Sequence, residues 1–489
     1  MAMQLDFGVH EPLVRWIEES DSNGFWNAAL QRVSKRPRDR DSLLLAGALA
    51  SARAVDPAQS PSWFLQLTST YASLQDGGQE DAAENPDGDL PVLRFLSSVR
   101  EACDRFPFRL PDFAGPSVGA KEELTYEFLE AVHKGDADAA DERFSSLAAD
   151  LGKDEAGDLL FSSGLEALTG PSDTLLGAVE ALTALQQIGW EWGPVLLRPV
   201  VRQQATPKVR SDLYDRACRE IASRQLLRRV RRRTPGVPSL GETEPQEFLE
   251  RSLAWSQAEP VGRMEQMADM LAHGISLEDA GEVVSLASTL LFLQEGLRRT
   301  PWTVGEIEER ISVVAGARAV RRLLHLATPG QRILGLLLAG VHPGVREVRL
   351  RPEAPECGWW LSPATRWTET IGSSNGSAEV PPLPAERTEA WEQALAARKA
   401  NALLPIVEEI VESGGAPQGL RGPTAAVARR QDAGFGRAIA LERVLADAYD
   451  CTRAPHRWIH VWASGVAQCH WPVDRGAKIV GLQGSDSVC

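Results

Sequence analysis

The C-terminal part of the chain holds the residues whose types and spacing best suit chemistry. His456 and His460 lie four residues apart in the segment APHRWIHVW, so a helix would bring both imidazoles to one face. Two histidines at this spacing can bind one metal ion. Asp450 upstream and His470 downstream are the residues that could complete such a site. A transition metal held by two imidazoles and a carboxylate keeps open positions for oxygen or a substrate.

Tryptophans are interleaved with these histidines, and the chain as a whole has 14 tryptophans against 4 tyrosines. An indole ring contributes a large apolar surface and a single hydrogen-bond donor. One interpretation is a substrate pocket in which Trp458 and Trp462 contact a flat aromatic ligand. The alternative is structural: the tryptophans anchor helix packing, and the histidines beside them bond to carbonyl groups.

The common motifs of nucleotide, hydrolase and zinc-protease sites are missing from the sequence. There is no GxxxxGK[ST], GxSxG or HExxH, and GFGRAI at 434–439 lacks the third glycine of a dinucleotide fingerprint. The sequence therefore contains no motif that indicates a nucleotide cofactor, and non-haem iron is the cofactor that the histidines suggest. If metal binding is not at the C terminus, His273 and His325 are the next candidates.

Composition predicts a globular protein and limits its partners. The 489 residues are 43% hydrophobic and 24% charged, with a net charge of −15. An acidic chain is poorly suited to bind nucleic acid or an anionic membrane. The basic run at 223–233 is the one feature suited to RNA, and arginines at a helix C-terminus are its structural alternative. With no signal-peptide pattern and no apolar run of about 20 residues, we expect a cytoplasmic protein.

The elements that must position these residues are helices in a repeated pattern. The segment 134–168 returns loosely at 260–292 and more weakly at 403–431, and Glu155-Ala156-Gly157 aligns with Asp279-Ala280-Gly281. A second helical stretch that opens on a glycine follows each copy. The pattern predicts an all-α fold of about three stacked units of 125–140 residues, as a solenoid or a closed toroid.

Changes in composition divide the chain into four regions and one irregular insertion. Alternating residues in VREVRLRP, with GWWLSP and RWTETIG after it, predict a small β excursion near 345–372. The predicted regions are an N-terminal helical region at 1–118 with an acidic loop at 76–90, a first unit at 119–243, a second unit at 244–386 with an irregular insertion at 346–386, and a third unit with the C-terminal tail at 387–489.

One stretch carries a family resemblance. AVEALTALQQIGWEWGPVLLRPVV at 178–201 has an alanine-rich helix, a Gly-Trp stop and a following helix that opens near a proline and an arginine. This texture resembles that of the questin oxidase-like proteins, over about residues 120–470. The resemblance implies a large all-helical protein that oxidises polycyclic aromatic compounds, with non-haem iron held by histidines.

The chain departs from that family at the inner helices, where the family places histidines. The matching stretches FSSGLEAL at 161–168, GARAV at 316–320 and GFGRAI at 434–439 contain none. Two functions follow as expectations. The first is a metal-dependent, oxygen-using enzyme for the oxidative tailoring of a flat aromatic natural product. The second is a non-catalytic helical-repeat protein, a degenerate family member that binds a small molecule or a protein partner.

Overall fold

A computed structural model describes most of the chain. The described residues are 5–35, 39–54, 63–76, 89–105, 110, 119–148, 150–167, 174–205, 212–231, 245–298, 304–341, 383–412, 417–431, 441, 443–448, 452 and 457–470.

The described residues form α-helices, with 3-10 turns at Gly8–His10, Trp190–Trp192 and Pro417–Leu420. In the first half of the chain the helices are α1 Glu11–Glu19, α2 Ser22–Lys35, α3 Arg40–Arg53, α4 Trp63–Asp76, α5 Leu90–Arg105, α6 Lys121–Lys134, α7 Ala137–Ala148, α8 Lys153–Ala167, α9 Thr174–Ile188, α10 Gly193–Leu196, α11 Arg198–Gln204, α12 Asp212–Ser223 and α13 Leu226–Arg231. In the second half they are α14 Pro245–Gln257, α15 Pro260–Ala272, α16 Leu277–Arg298, α17 Val304–Leu326, α18 Pro329–Ala339, α19 Ala385–Ala396, α20 Ala400–Glu412, α21 Arg421–Gln431 and α22 Arg457–His470. Residues 443–448 are also helical.

Local sequence signals set several helix ends. The first turn of α18 carries a capping box, in which the Thr328 side chain and the Gln331 side chain satisfy each other's backbone donors. Helix α6 ends at Gly135, whose φ of 73° lies in the left-handed region that glycine adopts without steric strain.

Helix α16 is the central helix of the fold. Its residues from Ala280 to Gln294 are buried on every side. It packs against α14, α17 and α22, while α17 also packs against α9. No face of this stretch is turned to solvent, so its polar side chains, among them Ser285 and Thr289, are buried together with the apolar ones.

One continuous cluster of buried apolar side chains extends from Phe7 to Cys469. Its largest members include four fully buried tryptophans, Trp255, Trp391, Trp458 and Trp462. The four predicted regions therefore contribute to a common core, and their boundaries stay predictions.

The all-α fold class is confirmed, since the described residues contain helices and no strand. The β excursion near 345–372 lies outside the described residues, as does most of the acidic loop at 76–90. Of the two glycines aligned in the sequence, a Cβ on Gly157 would lie 3.4 Å from Leu182 of α9, whereas a Cβ on Gly281 would overlap Leu324 of α17 at 2.7 Å. Stacked repeats, in a solenoid or a ring, stay a prediction.

In the basic run at 223–233, two of the described arginines form contacts with other residues of the chain. Arg224 forms ion pairs with Glu220 and Asp269. Arg229 donates a hydrogen bond of 2.7 Å to the carbonyl of Ala272, at the C-terminal end of α15. These contacts match the structural alternative, in which cations complement a helix C-terminus. No helix in the described part of the chain is long and apolar enough to cross a membrane.

Candidate functional site

His460 is buried between two threonine hydroxyls. Its Nδ1 atom lies 3.0 Å from Oγ1 of Thr289 on α16, and its Nε2 atom lies 2.8 Å from Oγ1 of Thr452. The side chain is 1% exposed. A neutral imidazole has one donor and one acceptor nitrogen, and a hydroxyl can serve either. Both ring nitrogens are therefore engaged in hydrogen bonds within the protein.

His470 lies too far along the same helix to share an ion with His460. Ten residues separate them on α22, which corresponds to about 15 Å along the axis at the usual rise per residue. Zinc or iron ligands must each come within about 2.1 Å of the metal. His456 and Asp450, the other predicted ligands, lie outside the described residues.

Among the described residues, no group of three or more histidine, cysteine, aspartate or glutamate side chains is placed to hold a metal ion. To bind a metal ion through one ring nitrogen, His460 would have to give up the threonine partner of that nitrogen. A non-haem iron centre with His456, His460 and Asp450 stays a prediction, whereas His470, the fourth predicted ligand, could join it only with a different arrangement of α22.

Trp458 and Trp462 lie one turn apart on α22 and stack, with ring centroids 6.4 Å apart and an interplanar angle of 19°. They are 2% and 0% exposed. Neither lines the large cleft described next, so in this structure both rings pack in the core. Their predicted contact with a substrate stays a prediction.

A cleft of about 470 Å³ opens between α9, α16, α17 and the helical residues 443–448. Pockets for small molecules usually measure about 300–1,000 Å³, so this cleft is large enough for one. Its lining residues are Thr183, Gln186, Ser285, Thr289, Val314, Ala317, Arg318, Arg321, Arg322, His325, Leu326, Arg443, Asp447 and Ala448.

Helix α17 supplies half of this lining, because its helical period brings one face to the cleft. Arg318, Arg322 and His325 follow at spacings of four and three residues, which places them on a common face. Arg321 lies beside them. Helix α16 contributes Thr289 from the opposite side.

Asp447 is the centre of an ion-pair network in the cleft wall. Its Oδ2 atom lies 2.9 Å from Nε of Arg318 and 2.7 Å from Nη2 of Arg322. Its Oδ1 atom lies 2.8 Å from Nε of Arg443, one turn earlier in the same helical segment. Burial raises the pKa of the Asp447 carboxyl, but the charges of Arg318, Arg443 and Arg322 outweigh burial and hold the pKa below its usual range.

A second carboxylate lies behind Arg318. Oε1 of Glu180 on α9 is 3.5 Å from Nε of Arg318, and both side chains are almost fully buried. The other carboxylate oxygen of Glu180 accepts a hydrogen bond of 2.6 Å from Thr68 on α4. We call Asp447, Arg318, Arg322, Arg443 and Glu180 the Asp447 cluster.

Arg318 is the most informative member of the Asp447 cluster. Its side chain is 3% exposed, yet it lines the cleft. Its Nη1 atom is buried and has no hydrogen-bond partner. A buried charged donor without a hydrogen bond is costly, about 1–3 kcal/mol or more, so a shift of this side chain toward an acceptor in the cleft would be favourable.

The cleft and the predicted C-terminal site share a wall. Thr289 lines the cleft and also contacts His460, so the imidazole lies one hydroxyl behind the cleft surface. His325, the alternative candidate from the sequence, lies in the cleft itself and is exposed. His273 is exposed elsewhere, with its Nδ1 atom 2.8 Å from the carbonyl of Asp269.

The sequence motifs do not identify the arginines of the cleft, although one segment of the sequence indicates that they are buried. RAVRRLLHL at 318–326 places arginines among alanine, valine and leucine residues that must be buried. An arginine on the apolar face of a core helix needs a buried counter-ion, because an unpaired buried charge is strongly unfavourable.

Comparisons of the chain with protein-family models, with curated proteins and with solved structures found no match.

Proposed function

We propose that the protein binds a small organic anion in the cleft between α9, α16 and α17. The observation that carries this proposal is Arg318, which lines the cleft although its side chain is almost fully buried, and whose Nη1 atom has no hydrogen-bond partner among the described residues. Guanidinium groups suit carboxylate, sulfonate and phosphate groups because their donors form a planar fork.

Charge in the lining supports an anionic ligand. The lining contains four arginines and a single carboxylate, Asp447. This excess of positive charge stands out in a chain whose net charge is −15. Salt screens the distant negative charges of the chain, so an anion in the cleft responds mainly to the nearby arginines. A cationic cleft can therefore concentrate anions even in an acidic protein.

The lining also indicates what the rest of the ligand is like. Val314, Ala317 and Leu326 present apolar surface beside the arginines. A ligand with an anionic group and an apolar body would satisfy both parts of the lining. An aromatic carboxylate has this chemistry and agrees with the flat ligand expected from the sequence.

Of the two functions expected from the sequence, ligand binding by a helical protein is the one that this cleft supports. Oxidation of an aromatic compound, as the questin oxidase-like resemblance implies, stays a separate prediction. It requires a metal centre that includes His456 or other residues outside the described part of the chain.

Binding of two naphthalene probes tests the proposal. At pH 8 we expect 2-naphthoate to bind with one site per chain in isothermal titration calorimetry. The neutral isostere 2-naphthamide should bind at least about tenfold more weakly, because a hydrogen bond to a charged group contributes about 1.5–3 kcal/mol. Equal affinity for the two probes, or no binding of either, contradicts an anion site.

A matched pair of arginine substitutions locates the site. Arg322→Gln removes a cation from the cleft, where Arg322 contacts Asp447 and Thr183. Arg216→Gln removes a similarly accessible arginine that pairs with Glu265 outside the cleft. We expect Arg322→Gln to weaken 2-naphthoate binding about tenfold and Arg216→Gln to leave it unchanged. The same loss in both variants would place the binding elsewhere.

A further inference from the structure

We infer that Gln186 and His325 form a polar subsite at the mouth of the cleft, which binds a hydroxyl group at the end of the ligand opposite its anionic group. This inference rests on the proposed function, because it specifies the class of organic anion that the same cleft takes. The preferred ligand has a polar group at each end and an apolar body between them.

The cleft has a buried end and an exposed end, and α17 runs from one to the other. The side chains of Arg318 and Arg322 are 3% and 30% exposed, and His325, one turn further, is exposed. On the α16 side, Ser285 and Thr289 are almost fully buried. A ligand enters from the exposed end, so the remainder of a ligand whose anionic group is at Arg318 lies toward His325.

Helix α9 follows the same course on the facing side of the cleft. Glu180 is 1% exposed and lies against Arg318 at the buried end. Thr183, one turn further, is half-buried and accepts a hydrogen bond of 3.2 Å from Arg322. The contacts advance along both helices together, so α9 and α17 run in the same direction here and both lead to the mouth.

Gln186 and His325 are the next residues on these two faces. Gln186 follows Thr183 by three residues, and His325 follows Arg322 by three, a spacing that keeps a residue on the same face of a helix. Both are exposed and both line the cleft. In the described part of the chain neither side chain has a hydrogen-bond or ion-pair partner. An amide and an imidazole are therefore available to a ligand at the same level of the cleft.

The two ends of the cleft differ in their hydrogen-bonding chemistry. Guanidinium groups at the inner end are donors only, which suits a carboxylate. At the mouth, a side-chain amide has both donors and an acceptor, and a neutral imidazole has one of each. This pair suits a group that both donates and accepts, and a hydroxyl is the simplest such group.

The length of the cleft fits a two-ring ligand. Seven residues of α17 separate Arg318 from His325, which corresponds to about 10 Å along the helix axis. A naphthalene ring with a carboxylate at one end and a hydroxyl at the other spans a comparable distance. Leu326 presents apolar surface for the ring beside His325.

The experiment compares 6-hydroxy-2-naphthoate with 6-methyl-2-naphthoate at pH 7, by calorimetry on the full chain. Hydroxyl and methyl groups are similar in size, and a phenolic hydroxyl ionises near pH 10, so both probes carry a single negative charge at pH 7. The arginines of the lining, Arg321 included, therefore act on both probes alike. We expect the wild type to bind the hydroxyl probe about three- to tenfold more tightly, as one or two hydrogen bonds provide.

Substitutions at the mouth locate this preference. Gln186→Ala and His325→Ala should each lower the ratio of the two affinities by about threefold. Gln187→Ala is the matched control, since Gln187 is the neighbouring exposed glutamine and lies outside the lining, and it should keep the wild-type ratio. A ratio that the control lowers as much, or that neither substitution at the mouth lowers, would overturn the inference.

The comparison in the wild type separates the inference from the proposed function without any variant. If both probes bind with equal affinity, the inference fails while the anion site stands. If neither probe binds, the proposed function fails, and the inference with it.

Nuclear magnetic resonance of the histidine rings provides an independent measurement. We expect the hydroxyl probe to shift the imidazole resonances of His325, assigned with His325→Ala, more than the methyl probe does. His133 is the control, because it is exposed and pairs with Glu166 outside the cleft. Resonances of His325 that respond equally to both probes would overturn its role in binding the hydroxyl.

Discussion

His460 on α22 and Thr289 on α16 are joined by a hydrogen bond of 3.0 Å, across 171 residues of sequence. The same hydroxyl of Thr289 donates to the carbonyl of Ser285, and Ser285 and Thr289 both line the cleft. His460 therefore supports the wall of the cleft from behind. Its second nitrogen, which contacts Thr452, ties α22 to the chain just before it.

Replacement of His460 should show a structural role. His460→Ala removes the partner of two buried hydroxyls and leaves a cavity, so we expect the free energy of unfolding to fall by about 2–4 kcal/mol. Urea denaturation measures this change. His133→Ala is the control, because His133 is exposed and pairs with Glu166 at the surface, where we expect a change within about 1 kcal/mol.

Metal analysis of the same variants distinguishes this role from the ligand role predicted from the sequence. Plasma mass spectrometry measures the metal content of the wild type and of His460→Ala. Loss of a stoichiometric metal together with unchanged stability would contradict the structural role and support the iron centre.

The Asp447 cluster should make stability depend on pH in acid. Arginine charges hold the pKa of Asp447 below its usual range against the effect of burial, whereas in the unfolded chain the pKa is about 3.9. As the pH falls, the unfolded chain therefore takes up this proton first. The stabilisation by Asp447 is fully present above about pH 4 to 5 and is lost as the pH falls through the folded-state pKa.

Denaturation of wild type and Asp447→Asn at pH 7 and at pH 3.5 measures this contribution. We expect the difference in unfolding free energy between the two proteins to be large at pH 7 and smaller at pH 3.5. A difference that is the same at both pH values would show that Asp447 does not titrate at a lowered pKa.

A buried ion-pair network at the N-terminal end offers a direct comparison of buried and exposed arginines. Arg53 is fully buried and binds Glu18 through two nitrogens, at 3.0 and 2.7 Å, and Glu11 at 2.9 Å. Arg15 binds the same Glu11 at 2.7 Å, but its side chain is 56% exposed.

Arg53→Met should therefore destabilise the protein by about 3–5 kcal/mol, because it removes the buried counter-ion of Glu18 and leaves Glu11 with the exposed Arg15 as its ion-pair partner. Arg15→Met should change stability by less than about 1 kcal/mol. Thermal and urea unfolding of both variants provide the measurement, and similar losses in the two would argue against burial as the cause.

Local signals predicted much of the fold, whereas the candidate site depends on packing that local signals do not describe. The alanine- and leucine-rich stretch at 39–55 has the composition of a buried helix, and α3 occupies Arg40–Arg53. Helical spacing cannot predict that Arg322 meets Asp447, since 125 residues separate them and two other helices, α9 and α16, complete the cleft. The spacing of His456 and His460 indicates a site at α22. The hydrogen-bond partners of His460 are Thr289 and Thr452, however, and no short-range sequence pattern connects these threonines to the histidine.

The close approach of α22 to α19 depends on a glycine. A Cβ atom on Gly465 would lie 2.5 Å from Cζ2 of Trp391 and 3.0 Å from Cδ1 of Leu403. Trp391 cannot easily move, since it is fully buried and its Nε1 atom donates a hydrogen bond of 2.9 Å to Thr424. We expect Gly465→Ala to lower the free energy of unfolding by about 1–3 kcal/mol, despite the higher helix propensity of alanine.

Gly422→Ala in α21 is the control. No side chain of a described residue lies within 4 Å of its Cβ position, so alanine should be neutral or stabilising by up to about 1 kcal/mol. Urea unfolding of both variants decides the point, and a stabilised Gly465→Ala would show that α22 and α19 can separate at this contact without loss.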